Sequence, residues 1–470
     1  MSSPHANPQP SARRPSAFDS LPNSSGLLTD LYELTMAAGY VQTHFDALAT
    51  FELFARHLPA RRNYLVAAGL EQALAFLESV RFTDEEVEFL RSNRVFRNIG
   101  PEFFAYLSKF RFTGDVWAMP EGTIVFPGEP LLRISAPIVE AQLLETYLLA
   151  TLSYQTMIAS KAARVCTAAQ GRDVVEFGAR RAHGALSSLP AARAAVIGGC
   201  VGTSNVLAGL EFGLAIYGTQ AHSWVMAHDR ESDAFAHFLD AFPDNSTLLL
   251  DTYDVRQALK QILAMGRKPS GVRLDSGDVA KDSRWVRREL DRAGWSDVKI
   301  FASGDLDEYR IRELLARHAA IDAFGVGTAL ATPGDAPHLN MIYKLVEVER
   351  DGKIWEAAKL TRAKATYPGR KQVFRHSNSS GEFRFDRVAL ENEPAQAAEP
   401  LLIPVMRQGK RVAPADSIEA ARERCRASLA RLPKACRQIS ESAVYPVRYS
   451  KSLKQMLANV RERVRRSSLA

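Results

Sequence analysis

No stretch of this sequence approaches the roughly 20 consecutive apolar residues that a membrane-spanning helix needs. The most apolar region, residues 138–152, is interrupted by Glu140, Gln142 and Glu145. Cysteine is scarce: Cys166, Cys200, Cys425 and Cys436 form no C-x-x-C pair and no His/Cys cluster of zinc spacing. That excludes a disulfide scaffold and a zinc finger, and fits a reduced, cytoplasmic setting. Internal repeats of solenoid or propeller period are also lacking. Residues 1–23 have no apolar segment of the kind a secretory signal carries, and their five prolines oppose the amphipathic helix of an organelle transit peptide. They read as a disordered leader.

What is present is an ordinary globular composition, 46% hydrophobic and 24% charged over 470 residues, enough for two to four domains at roughly 100–200 residues each. The net charge of +7 suggests a nucleic-acid partner until it is located. Residues 406–470 carry a net +11, and the first 405 a net −4. The basic residues of the tail fall at helical spacing over 417–432 and 452–466, the pattern of solvated helix faces rather than of a polyanion site.

The chain predicts a helix over 31–38, capped by Thr29 or Asp30 and stopped by Gly39, then a strand over 47–56. Amphipathic helices follow over 69–80 and 83–91, the second opened by a Thr83/Glu86 capping box. Strands over 115–137 lead into one long helix over 138–169. From residue 173 strand and helix alternate: strands over 173–177, 214–218, 247–250, 271–274, 298–302 and 323–326, helices over 254–265, 279–293 and 308–319. Short apolar strands separated by helices of this length imply a parallel sheet covered on both faces, either a barrel or an open doubly wound sheet. Each strand ends in small, hydroxyl or charged residues, and a barrel opens all such ends on one face, which favours a (β/α) barrel. Hairpins about Asp351-Gly352 and Ser380-Gly381 and the two basic helices complete the chain. The expected division is a leader (1–23), an N-terminal α/β region (24–137), a barrel (138–345) and a C-terminal α+β segment (346–470). An irregular barrel flanked by an α/β domain drawn from both chain ends is the fold expected.

Chemistry concentrates at the strand ends. Ser303-Gly304-Asp305 and Gly325-Val326-Gly327-Thr328 are short glycine-bearing turns, where free N–H groups suit a phosphate. In GVRLDSGD (271–278), Arg273 and Asp275 lie two apart and share a strand face, as a structural ion pair or as ligand groups. Asp251 and Asp254 are candidates for ribose hydroxyls, a metal or a helix cap, with the cap favoured for Asp254. Arg180-Arg181 suit an anionic ligand, and His222, near Thr219, follows a strand. These groups together fit a phosphorylated, anionic substrate accompanied by Mg²⁺.

Seven segments, LLTDLYELTMAAGY (27–40), EFGARRAHG (176–184), GTQAHSW (218–224), LDTYDV (250–255), GVRLDSGD, FASGDLDEY (301–309) and FGVGTALAT (324–332), stand in the order found in nicotinate phosphoribosyltransferases, and the chain resembles that family over about 27–344. His183 departs from the family pattern, which has Gln there. The resemblance implies a type II phosphoribosyltransferase fold and a head-to-tail homodimer with shared active sites. It implies transfer of phosphoribosyl from phosphoribosyl pyrophosphate to nicotinate, coupled to ATP hydrolysis with Mg²⁺, in NAD salvage. By motif matching His222 is the phosphohistidine, and Tyr32, Thr219 and Arg273 contact nicotinate, Tyr32 stacking from the other subunit. Asp275 and Asp251 support the ribose or ring. Ser303, Gly304, Asp305, Gly327 and Thr328 hold the phosphoribosyl phosphate, and Arg180 and Arg181 lie near the pyrophosphate. Nothing in the pattern names the metal ligands. The rival readings are transfer to nicotinamide or quinolinate, nucleic-acid binding through the basic tail, and an unrelated phosphate-binding barrel such as an aldolase, for which no Schiff-base lysine or metal cluster is found.

Overall fold

Short apolar strands alternating with capped amphipathic helices build the central layer, as their spacing predicts. The computed structural model describes residues 24–361 and 365–467, so the expected leader lies outside the described residues. Six parallel strands lie in the order Gly202–Thr203, Asp173–Glu176, Ala323–Val326, Lys299–Ala302, Gly271–Leu274, Thr247–Leu249. The last of these in the chain pairs with the first, Val326 opposite Glu176, as closure of a barrel requires. The ring is interrupted only between Gly202–Thr203 and Thr247–Leu249. This is an irregular (β/α) barrel. Side chains of Asp254, Asp278 and Asp307 cap the helices Val255–Ala264, Val279–Arg292 and Glu308–Ala316 that cover it.

Three local expectations are corrected. Residues 214–218 form no strand but a single bridge between Thr203 and Ile216. Ile216 and Tyr217 are exposed, so the segment lacks the two-sided burial that holds a parallel strand. The first helix runs over Leu31–Gln42, through Gly39, because Tyr40 and Val41 pack on the N-terminal core and offset the glycine's cost of about 1 kcal/mol. Its N-terminus has no side-chain cap: the Thr29 hydroxyl binds Glu33, and Asp30 accepts from Thr146. The long helix over 138–169 is two, Ile138–Gln142 and Glu145–Ala168, and the break buries Leu143 and Leu144 in that core. The Thr83/Glu86 capping box is present.

The flanking domain comes from both ends of the chain. Its antiparallel sheet has the order Lys353–Glu356, Met341–Arg350, Leu48–Ala55, Pro130–Pro137, Asp115–Ala118, Ile403–Arg407, Lys410–Arg411. A smaller sheet carries the second hairpin, Lys371–Ser377 with Phe383–Leu390. Between this domain and the barrel runs Glu145–Ala168, whose Leu148 and Leu152 lie in one core and Ile158 and Ala162 in the other. Basic residues of the C-terminal helices Ile418–Arg431 and Lys451–Ser467 pair with nearby acids: Arg424 with Asp416, Arg426 with Glu423, Arg463 with Glu356, Arg466 with Glu462. The tail is an ion-paired, solvated face, as its spacing implies.

Candidate active site

The strand ends open on one face of the barrel into a cavity of about 850 Å³. Of the residues expected at the site, Thr219, His222, Arg273, Asp275, Arg180, Arg181, Ser303, Gly304, Asp305, Gly327 and Thr328 line it; Asp251 and Tyr32 do not.

Arg273 is the hub. From the Gly271–Leu274 strand its Nε donates to Ser303 Oγ at 2.7 Å, one terminal nitrogen to Thr219 Oγ1 at 2.8 Å, and the other to Asp275 Oδ1 at 2.5 Å. Two strand ends and the Thr219 segment are tied to one guanidinium, and of the two roles left open by the two-residue spacing, the ion pair forms. Burial pushes the Asp275 carboxyl up, but the Ser303 hydroxyl and Arg273 outweigh it and leave its pKa below the ordinary value, so it is ionised at neutral pH. Asp251 stands behind this pair: its Oδ2 accepts from the Asp275 amide at 2.9 Å and from Ser276 Oγ at 2.6 Å. Asp254 caps its helix through Gln257.

The two glycine turns are held by close backbone approach. Gly304 has φ +87°, and a Cβ there would lie 1.8 Å from the Asp275 carbonyl oxygen. Asp305 also has positive φ. A Cβ on Gly327 would meet the Phe177 carbonyl at 2.8 Å. Successive amides in such turns form a concave anion cradle. Arg180 and Arg181 sit in a short 3₁₀ turn, Ala179–Arg181, on the same cavity. Beneath it the Glu176 carboxylate accepts from Thr203 Oγ1 and the Gly178 amide, and burial pushes its carboxyl up.

His222 opens the short helix His222–Met226. Its Nδ1 lies 3.1 Å from Thr252 Oγ1 and its Nε2 3.9 Å from Asp275 Oδ2, with the side chain 40% exposed. An accessible imidazole beside an ionised carboxylate is equipped for nucleophilic or acid–base work.

Sequence reasoning missed several cavity residues. The Phe177 ring faces the Arg273 guanidinium at 5.9 Å, and Ser204, Gln220 and Arg310 also line the cavity. Gln220 is buried with neither amide atom hydrogen bonded. Phe177 and Gln220 lie inside the EFGARRAHG and GTQAHSW segments, which was the available signal. Tyr32, on Leu31–Gln42, lies outside the cavity and is about half exposed; its partial burial and then Glu145 and Glu33 push its phenol up. His183 is exposed.

Residues 27–153, 173–385 and 395–457 match family models described as the N-terminal domain of nicotinate phosphoribosyltransferase, the nicotinate phosphoribosyltransferase family, and its C-terminal domain. The likeness thus extends past residue 344, into a region without a recognisable motif. A Mycobacterium tuberculosis nicotinate phosphoribosyltransferase is 43% identical over 93% of this chain and 94% of its own length. The Mus musculus enzyme of that name is 32% identical over 93% and 97%. The crystal structure of human nicotinic acid phosphoribosyltransferase superposes with a TM-score of 0.81 at 30% identity, covering 92% of this chain and 99% of that one. A Pyrococcus furiosus nicotinate-nucleotide pyrophosphorylase gives 0.70 at 29% identity, over 86% and 95%.

Proposed function

This chain belongs to the nicotinate phosphoribosyltransferase family, and from that premise we infer how its barrel mouth works. It is an enzyme of NAD salvage that joins nicotinate to the phosphoribosyl group of phosphoribosyl pyrophosphate, giving nicotinate mononucleotide and pyrophosphate. The observation that carries the site assignment is the Arg273 hub, which gathers a guanidinium, two hydroxyls and an ionised carboxylate between two glycine turns.

In this reading the Ser303–Asp305 and Gly327-Thr328 turns hold the 5-phosphate of the ribose, and Arg180 and Arg181 face the pyrophosphate. Thr219 and Arg273 face the nicotinate carboxylate. The pyridine nitrogen attacks ribose C1 as the C1–O bond to pyrophosphate breaks, and the bonding pair leaves with the pyrophosphate oxygen. Asp275, kept ionised, lies where positive charge develops on the ribose, and Asp251 holds its backbone. No three His, Cys, Asp or Glu side chains converge as a metal site among the described residues. The residues that would hold a Mg²⁺ ion accompanying the phosphates are Asp305 and Asp275, the carboxylates on the cavity. When bound, it neutralises the departing pyrophosphate.

ATP enters through His222: its imidazole takes the γ-phosphoryl group as the bond to the β,γ-bridging oxygen breaks and ADP leaves. The exposed side chain beside Thr252 and Asp275 supports this role. The enzyme works as a homodimer in which Tyr32 enters the other subunit's cavity and stacks on the pyridine ring. Support comes from the exposed patch of Leu28, Leu31, Tyr32 and Met36 beside and on the first helix. No helix among the described residues is long and apolar enough to cross a membrane. The free Cys166, Cys200, Cys425 and Cys436 support placing the enzyme in the reducing cytoplasm. We propose the division at 24–137, 138–345 and 346–470, supported by the strands Lys353–Glu356, Ile403–Arg407 and Lys410–Arg411, which the last segment adds to the flanking sheet.

The decisive experiment measures mononucleotide formation by the purified protein from nicotinate, nicotinamide and quinolinate, each with and without ATP. Product from nicotinate, increased by ATP, is expected; equal kcat/KM for nicotinamide overturns the substrate assignment. His222→Ala is expected to abolish the ATP stimulation and leave slow transfer, and unchanged stimulation removes His222 from the ATP step.

A further inference from the structure

The two turns assigned to the 5-phosphate end adjacent parallel strands, Lys299–Ala302 and Ala323–Val326. Each is followed closely by a carboxylate: Glu308 three residues after Asp305, and Asp335 seven after Thr328. One ammonium grips both. Lys161 Nζ lies 2.5 Å from Glu308 Oε2 and 3.0 Å from Asp335 Oδ1. Lys161 belongs to Glu145–Ala168, the helix shared by the two cores, and is only 3% exposed. Arg164 Nε holds the other Glu308 oxygen at 3.0 Å, and an Arg62 terminal nitrogen holds the other Asp335 oxygen at 2.7 Å.

Taking an ammonium out of water is costly, and a buried ion network seldom stabilises a fold more than apolar packing of the same volume. Fixing the register of the segments it joins is the best-attested use of such a network. Here Glu308 is the first residue of the helix that leaves one turn, and Asp335 lies just beyond the short helix Thr328–Ala331 that leaves the other. Burial pushes both carboxyls up, but Lys161 and Arg164 bring Glu308 below its ordinary range, and Arg62 and Lys161 do the same for Asp335. Both are therefore charged at neutral pH, and the bridge is a lasting one.

We propose that Lys161 is a positioning residue for phosphoribosyl pyrophosphate, bridging Glu308 and Asp335 so that the Gly304-Asp305 and Gly327-Thr328 turns keep the separation the phosphate requires. The proposal rests on the reading that these turns hold the phosphate. Lys161 touches no substrate; it acts through the two segments.

The test is steady-state kinetics on the full-length enzyme. In Lys161→Met each carboxylate keeps an arginine, so the fold is retained. Its KM for phosphoribosyl pyrophosphate is expected to rise about tenfold, while the KM for nicotinate stays within about twofold. Asp335→Asn, which loosens only the second turn and leaves the Lys161–Glu308 pair, gives an independent reading in the same direction. Gly304→Ala, which distorts the first turn at a φ of +87°, reports on the turns themselves. If it raises the phosphoribosyl pyrophosphate KM while Lys161→Met and Asp335→Asn leave it unchanged, or shift both KM values together, Lys161 has no positioning role. If Gly304→Ala has no effect, the turns do not bind the phosphate, and the phosphate reading falls together with the role of Lys161.

Discussion

At the scale of single residues, Arg273 shows why side-chain identity decides more than charge. Its side-chain hydrogen bonds to Ser303, Thr219 and Asp275 leave in three directions from one planar group. A lysine carries its charge at one nitrogen and cannot span them. Arg273→Lys is expected to lower kcat/KM for nicotinate about a hundredfold while the protein unfolds cooperatively near its original temperature. Glu231 offers a pH-dependent case. Burial, with Asp254 nearby, pushes its carboxyl from 4.5 up to about 6. The folded state thus holds this proton more tightly than the unfolded chain. The stability it contributes is complete below pH 4.5 and is lost as pH rises through about 6. The group is partly exposed, so the effect stays below about 1 kcal/mol. Glu231→Gln should remove that slope and be the more stable protein at pH 7.5; parallel thermal-unfolding curves for the two proteins between pH 4.5 and 7.5 would contradict it.

At the scale of elements, the strand–turn–helix units were legible wherever burial was two-sided and a cap was present. Asp254, Asp278 and Asp307 mark true helix starts because a short carboxylate reaches the first free amides. Residues 214–218 looked like a strand because they are apolar, yet local pattern cannot reveal that Ile216 and Tyr217 stay exposed. The two glycines at Gly39 and Gly304 make the same point. Gly39→Ala places a methyl where nothing lies within 4 Å and should stabilise the protein by about 0.5–1 kcal/mol. Gly304→Ala puts one 1.8 Å from the Asp275 carbonyl oxygen at a φ of +87°, and should raise the KM for phosphoribosyl pyrophosphate at least about tenfold. Thermal unfolding for the first and kinetics for the second check the pair.

At the scale of the whole molecule, the exposed Tyr32 patch and the barrel mouth lie on different parts of one chain, and the homodimer proposed above is what would bring them into one site. Mixing inactive Tyr32→Ala and Arg273→Ala proteins under conditions that exchange subunits should restore activity, because one site of each mixed dimer then carries both wild-type residues. No recovery, with exchange verified by mass, would place Tyr32 in its own subunit's site or in none. The basic tail makes a contrasting case: part of its excess charge faces acids from elsewhere in the chain, Arg463 with Glu356, Arg407 with Asp115 and Arg411 with Glu71, so a property of the composition is not a property of any one surface.

The sequence by itself determined the alternation of strand and helix, the polar strand ends and the shared strand face of Arg273 and Asp275, because each depends on residues close together in the chain. It also carried the family, through motifs that are local strings. Only the tertiary structure decided that Phe177 and Gln220 face the cavity with Arg273, that 214–218 is no strand, and that Lys161 joins Glu308 to Asp335. Those relations unite residues far apart in sequence. The physical reason is that ion pairing, burial and ring contact depend on distance in space, and the spacing of residues along the chain does not encode which distant segments will be brought within 3 Å of one another.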